Sequence, residues 1–247
     1  MIRAIFYLLF AMLFLLLPGN QAQAITLYDA SPGQTPQDQG WSFMPVPPML
    51  VSMSAVSGGT SLQTLSANVA YAGFYRDDAI LDRTIGYSLN FDVQVLAEAH
   101  DNNNRSGFSV IALSSDLQGI ELSFWTNEIF AKTNDIPTFS HAEFIVADTT
   151  ILRNYQLTIQ GSGYSLTGTG LGSPLTGSLR DYSASTIEVY DTPNFLFFGD
   201  DTTSAGANIL VGSISLQAVP EPGTWTAGAI LLLSLGVFKM RRLRLAT

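Results

Sequence analysis

The 247-residue chain contains no cysteine, so it can form no disulfide, no thiolate metal site and no cysteine nucleophile. Histidine occurs only at His100 and His141, which leaves imidazole chemistry two places to reside. Cations are scarce away from the two ends. From Asp29 to Glu221 the basic residues are Arg76, Arg83, Arg105, Lys132, Arg153 and Arg180. These six, set against all twenty acidic residues, leave a net charge near −14. A surface of that sign disfavours nucleic acid and anionic lipid and tolerates divalent cations. Between Ile25 and Pro220 there is also no sustained helical period and no internal repeat.

What the chain does have is organised by its ends. Arg3, the apolar run Ala4–Leu17, the breakers Pro18 and Gly19, and Ala22-Gln23-Ala24 follow the order of a secretory signal peptide. Cleavage after Ala24 would start the mature chain at Ile25. At the other end, Val219-Pro220-Glu221-Pro222-Gly223 is a short stiff segment, because proline fixes φ and favours extended backbone. It precedes an apolar stretch, and Lys239, Arg241, Arg242 and Arg244 close the chain. As a helix, residues 225–240 would span about 24 Å, a little less than the ~30 Å hydrocarbon core. The basic end predicts a cytoplasmic C-terminus by the positive-inside rule.

This three-part tail resembles the PEP-CTERM sorting signal of exported bacterial proteins. The resemblance implies secretion machinery and an exosortase-type membrane protease as partners, with a cut near Pro220–Pro222. It further implies an inner-membrane precursor held by its C-terminal helix, then a product at the cell surface or beyond. A permanent single-span anchor is the alternative.

The middle of the chain reads as all-β. Residues 25–40 are expected to be a linker, because Asp29–Gly40 is rich in Pro, Gly, Gln and Asp. Residues 41–218 are expected to form one sandwich domain, followed by the tail at 219–247. Pro45, Pro47 and Pro48 restrict 41–51 to a sheet edge. Ile85, Tyr87, Leu89, Phe91, Val93, Val95 and Ala97 alternate with mostly polar residues, a two-residue period that demands a strand with one wet face. Further strands are expected at 68–75, 108–113, 120–125, 129–132, 142–147, 175–179, 186–190, 195–198 and 209–216. Gly161-Ser162-Gly163 between Tyr155–Gln160 and Tyr164–Thr167 signals a hairpin.

The hairpin, Gly177-Ser178-Leu179, Phe198-Gly199-Asp200 and the last strand are together similar to a concanavalin A-like, laminin G-like jelly roll. Leu81–Tyr87, Asn104–Phe108 and Gly199–Thr203 also resemble the choice-of-anchor domains found ahead of PEP-CTERM tails. These resemblances imply an antiparallel jelly-roll sandwich in a cell-surface setting, and no chemistry.

Candidate sites follow from side-chain spacing. Glu98 and His100 share one strand face, and His141 and Glu143 repeat that spacing. Were the strands neighbours, two carboxylates and two imidazoles could bind a metal or perform acid–base chemistry on a sugar, with Arg105 holding a carboxylate. The plain alternative is two solvated strand ends. Asp200 and Asp201, with Asn208 after them, make an oxygen-rich turn suited to Ca²⁺ or simply to solvent. Asp101, Asn103 and Arg105 fall at a calcium-loop spacing, but Arg105 stands where an oxygen is needed. Trp41 and Trp125 could form a sugar-stacking platform or fill a core. No Glu-x-Asp-x-x-Glu run, Gly-x-Ser-x-Gly elbow or phosphate loop is present.

The expectation from sequence is therefore an exported structural or carbohydrate-binding protein of extracellular polysaccharide, without catalysis and without an obligatory cofactor. A polysaccharide hydrolase or lyase using Glu98, His100, His141 and Glu143 is one alternative. A Ca²⁺-dependent adhesion module is the other.

Overall fold

Alternation at one strand and continuous apolarity at two others decide how the layers stack. In the computed structural model, residues 23–219 are described except 32, 66–68 and 136. Ala22, Pro220, Glu221, Pro222, Gly223, Lys239, Arg241, Arg242 and Arg244 lie outside the described residues, as do both expected apolar segments. Among the described residues no helix is long and apolar enough to cross a membrane.

In chain order the strands are β1 (Ile25–Tyr28), β2 (Ser42–Val46), β3 (Ser52–Val56), β4 (Gly59–Gln63), β5 (Tyr71–Arg76) and β6 (Tyr87–His100). Then come β7 (Ser109–Leu113), β8 (Gln118–Phe124), β9 (Glu128–Lys132), β10 (His141–Val146) and β11 (Arg153–Gln160). The last are β12 (Gly163–Gly168), β13 (Leu175–Ser178), β14 (Arg180–Asp181), β15 (Leu196–Asp200) and β16 (Ala205–Ala218). They build two antiparallel sheets. Sheet A runs β13-β12-β11-β6-β16-β4-β3, with β1 added on β16. Sheet B runs β10-β9-β8-β7-β15-β5-β2, with β14 added on β8.

The two long strands β6 and β16 pair along their whole length, from Tyr87 opposite Ala218 to His100 opposite Ala205. In β6, Tyr87, Leu89, Phe91, Val93 and Val95 are buried, while Asn90, Asp92 and Gln94 are half-exposed. The inward set meets Phe108, Phe124 and Phe198 from sheet B. Phe91 lies 5.3 Å from Phe198, 5.6 Å from Tyr155 and 6.3 Å from Phe124, ring centre to ring centre. Such rings each contribute about 1.5–3 kcal/mol by burial, and geometric pairing adds to this.

Sheet B differs from sheet A because both faces are covered at its centre. Every residue of β7 and β15 is buried. Their second face carries Ile111, Leu113, Phe195 and Phe197, packed under Tyr182 and Tyr190. Those tyrosines belong to the connection between β14 and β15, which crosses this face as a strap.

Three expectations change. Residues 25–40 are not a linker. Ile25–Tyr28 pairs with β16, Pro36–Gln39 forms a 3₁₀ turn, and Leu27, Tyr28 and Ala30 are buried. The polar composition does not mark a linker here because the Gln39 side-chain amide accepts from the Asp29 N–H and donates to the Asp29 carbonyl, which ties the loop down. Residues 186–190 do not form a strand: Glu188–Tyr190 is a 3₁₀ turn in the strap. Strands β3 and β4 were not expected. The 41–51 stretch does lie at a sheet edge, with β2 pairing only β5.

Candidate functional site

The two histidines both reach one tryptophan. His100 ends β6, and its ring stacks flat on Trp125, 4.3 Å away at an angle of 8°. His141 begins β10 and meets the same indole edge-on at 5.4 Å, while stacking on Phe130 at 4.1 Å. His100 Nδ1 lies 2.9 Å from the Glu98 carboxylate, which is nearly buried. Burial raises the Glu98 carboxyl above its usual range, and His100 opposes that rise.

The rest of the expected constellation does not assemble. Glu143 turns away and takes Arg180 Nη2 at 2.5 Å. The carboxylate beside His141 is Glu128, 3.2 Å from Nε2. The switch follows from a register irregularity between His141 and Phe144, which breaks simple alternation on β10. The Arg105 guanidinium donates instead to the carbonyls of Thr138 (2.7 Å) and Pro137 (3.1 Å). Nor do the tryptophans make an open platform. Trp41 is a core residue whose Nε1–H donates to the Leu27 carbonyl, and one face of Trp125 is covered by His100.

The oxygen-rich turn also separates. Asp200 points into the core, where its Oδ2 accepts from Thr64 Oγ1 at 2.6 Å. Burial pushes its carboxyl up to about 8, only partly offset by Thr64 and the Thr202 N–H. Both its oxygens are already engaged, Oδ2 by Thr64 and Oδ1 by the Thr202 N–H at 3.1 Å. Asp201 faces Lys132 instead, and Asn208 sits in β16 paired with β4 and β6. Among the described residues no three His, Asp or Glu side chains are placed to hold a metal ion.

A polar cluster that spacing did not reveal lies beneath the strap. Glu121 on β8 is fully buried and takes Lys132 Nζ at 2.6 Å, Ser109 Oγ at 2.9 Å and Tyr190 hydroxyl at 2.5 Å. Burial pushes the Glu121 carboxyl up, but Lys132, Tyr190 and Ser109 more than offset it and hold it below the ordinary range. Asp201 shares the lysine at 3.8 Å, and burial beside Glu121 pushes it up to about 6. Tyr190 is raised well above its ordinary value by burial and by these two carboxylates.

The outer face of sheet A is of another kind. Across β6 and β11 the outward side chains bond in rows: Ser88 with Thr158 (3.0 Å), Asn90 with Gln156 (2.9 Å) and Asp92 with Asn154 (2.9 Å). Ser165 and Thr167 on β12, Ser213, Ser215 and Gln217 on β16, and Ser61 and Gln63 on β4 extend the same surface. Asp92 is the one ionisable group among these residues. It also lines an open depression of about 560 Å³, shared with Ser31, Gly58 and Ser213.

No family profile and no curated protein sequence matches this chain. Solved structures match its fold. A conserved carbohydrate esterase from the Shiga toxin-encoding bacteriophage phi24B superposes with a TM-score of 0.55 at 16% identity, covering 79% of this chain and 99% of that one. A Bacillus subtilis protein of unknown function with a galectin-like fold gives 0.51 at 9% identity, covering 78% and 96%. At such identities the likeness shows the fold alone, an antiparallel two-sheet β-sandwich.

Proposed function

We propose that this protein is a non-catalytic carbohydrate-binding sandwich of the concanavalin A-like jelly-roll type, exported and displayed at the cell surface or in extracellular polysaccharide. The observation that carries the reading is the outer face of sheet A. Its side chains are mostly hydroxyls and amides, three pairs of them across β6 and β11 held by mutual hydrogen bonds, with the Asp92 carboxylate in one pair. Neutral amides and hydroxyls each offer both donors and acceptors, which matches the hydroxyls of a neutral sugar. The rows are pre-ordered, so little side-chain entropy is lost when a glycan lies across them. Neighbouring strands repeat every ~4.8 Å, giving a chain-like ligand many equivalent contacts. The galectin-like protein and the carbohydrate esterase share the fold, which is compatible with this reading and assigns no chemistry by itself. Delivery rests on the signal-peptide order at the N-terminus and the PEP-CTERM-like tail, with secretion machinery and an exosortase-type protease as partners.

A glycan array probed with the full-length protein tests the binding. Neutral polysaccharides should be retained, and Asn90→Ala with Gln156→Ala should weaken retention at least about fivefold, the cost of about 1 kcal/mol of hydrogen bonding. Equal retention by the folded double variant would remove the outer face of sheet A from the account.

A further inference from the structure

Tyr190 is held the way a bound ring is held. Its ring lies stacked between Tyr182 (4.8 Å, 11°) and Phe139 (5.2 Å, 24°). Its hydroxyl donates to Glu121 Oε2 at 2.5 Å and lies 3.4 Å from Asp201 Oδ2. Around that hydroxyl the site is over-supplied with polar groups. Asp201 Oδ1 and the Tyr182 hydroxyl are buried without a hydrogen-bond partner, although their residues are built into the same cluster. Asp201 Oδ1 is 3.8 Å from Lys132 Nζ, too far for a hydrogen bond. Unsatisfied buried groups are costly and rare, so each of these two calls for an explanation.

The strap that carries Tyr190 is attached mainly at its ends. Tyr182 N–H donates to the Leu117 carbonyl at 3.1 Å, and Leu113 N–H donates to the Phe195 carbonyl at 2.9 Å. Between these points the backbone bonds of Ser185 and Tyr190 are local, to the carbonyls of Tyr182 and Ile187, while the Asn194 N–H reaches the Ser114 carbonyl at 3.4 Å. A segment held over a sheet largely by its side chains, with local backbone bonds at Ser185 and Tyr190, belongs to the low-stability end of a fold.

We propose that Tyr190 is an internal stand-in for a sugar ring, and that the strap 183–194 lifts to let a neutral pyranose occupy its place on sheet B. The incoming ring would stack on Phe139 and Tyr182. Its hydroxyls would donate to Glu121 Oε2 and to Asp201 Oδ1, which accepts no hydrogen bond while Tyr190 is in place and has Lys132 Nζ only at 3.8 Å. Lys132 neutralises only one of the two carboxylates, so the pocket keeps a negative balance. That balance selects neutral sugars and rejects uronates. This site is on the opposite sheet from the amide rows and does not depend on them.

The test is binding of neutral gluco-, galacto- and manno-oligosaccharides, with a glucuronate oligosaccharide as the acidic counterpart, to the full-length protein by calorimetry. Tyr190→Ala removes the internal competitor and should tighten binding of a neutral oligosaccharide at least about tenfold. Tyr190→Phe, which keeps the ring and loses the hydroxyl, should tighten it less. Adding Glu121→Gln to Tyr190→Phe should abolish the gain, and Asn90→Ala with Gln156→Ala should leave it intact. In the unaltered protein, a bound neutral oligosaccharide should speed amide exchange at Ser183–Asp191. No gain in either folded Tyr190 variant, or an equal gain for glucuronate, would overturn the proposal. So would a gain that vanishes with the sheet A variant, since it would then belong to the other face. Should Tyr190→Ala not fold, Tyr190→Phe and the exchange experiment decide alone.

Discussion

Thr64 and Asp200 tie the two sheets together through one hydroxyl. Thr64 Oγ1 accepts from the Ala207 N–H at 3.0 Å on sheet A and donates to Asp200 Oδ2 at 2.6 Å on sheet B. Both residues are buried. Burial raises the Asp200 carboxyl to about 8 against an ordinary 3.8, so the folded protein holds a proton that the unfolded chain has released. More protons bound in the native state means that stability falls as pH rises. The contribution is complete below pH 3.8 and is lost as pH climbs through about 8. Asp201, raised to about 6, acts in the same direction, while Lys132 is raised and stays charged throughout.

Thermal melts from pH 5 to pH 9 should therefore show Tm falling, by on the order of 5–10 °C for a domain of this size. Asp200→Asn should flatten most of that slope. The many surface carboxyls with lowered values, such as Asp82 and Asp148, lose their contribution only in acid and leave this window untouched. A Tm that is flat or rises over the window would mean that Asp200 is ionised in the folded protein.

What could be read in advance follows from where the information lies. The alternation of β6 announced one wet face because Asn90, Asp92 and Gln94 stay half-exposed on the outer side of sheet A. The continuous runs Ser109–Leu113 and Leu196–Phe198 signal burial on both faces, and the strap is what buries the second. Strand β4 has a single core aliphatic, Leu62, and β3 lies at an edge, so neither leaves a periodic trace. The buried cluster was illegible for a different reason. Glu121, Lys132, Tyr190 and Asp201 come from four separate segments, and only the antiparallel return of β8 to β9 and the strap bring them together. The histidines were legible as a pair, but their carboxylate partners were not, since one register irregularity in β10 exchanges Glu143 for Glu128.

Lys132 gives a second prediction. Its ammonium is the cation for two carboxylates in a place water does not reach. Lys132→Met leaves Glu121 and Asp201 facing each other without a counter-charge, and should cost about 3–5 kcal/mol in urea denaturation. Lys132→Met combined with Glu121→Gln should recover part of that loss, because the most deeply buried charge goes too. Additive losses in the double variant would show that the two side chains do not act as a pair.

His100 and Trp125 give a third. With Trp41 in the core, the half-buried indole of Trp125 is the one in the sandwich that a ring removal can expose. His100→Ala should shift tryptophan emission to the red. It should also cost about 1–3 kcal/mol, because Glu98 keeps only a long contact of 3.4 Å from the Gly107 N–H. Unchanged emission would mean that the imidazole does not shield the indole in solution.

The tail prediction joins structure to sequence at Val219. Strand β16 ends at Ala218, and the Val219 N–H still donates to the Gly86 carbonyl at 2.9 Å. Gly86 has a φ of +95°, a conformation that suits glycine and turns its carbonyl toward this contact. The backbone hydrogen bonding of the sandwich therefore extends to the residue directly before Pro220. A protease that cuts near Pro220–Pro222 would leave every one of these bonds in place. Mass spectrometry of protein recovered from the cell surface should find a C-terminus at or just beyond Pro220, and its melting temperature should match that of the uncut chain within about 2 °C. Recovery of peptides containing Arg244 from the surface fraction would replace the sorting tail with a permanent anchor. A large loss of stability on truncation after Pro222 would mean that residues beyond Pro222 belong to the folded unit.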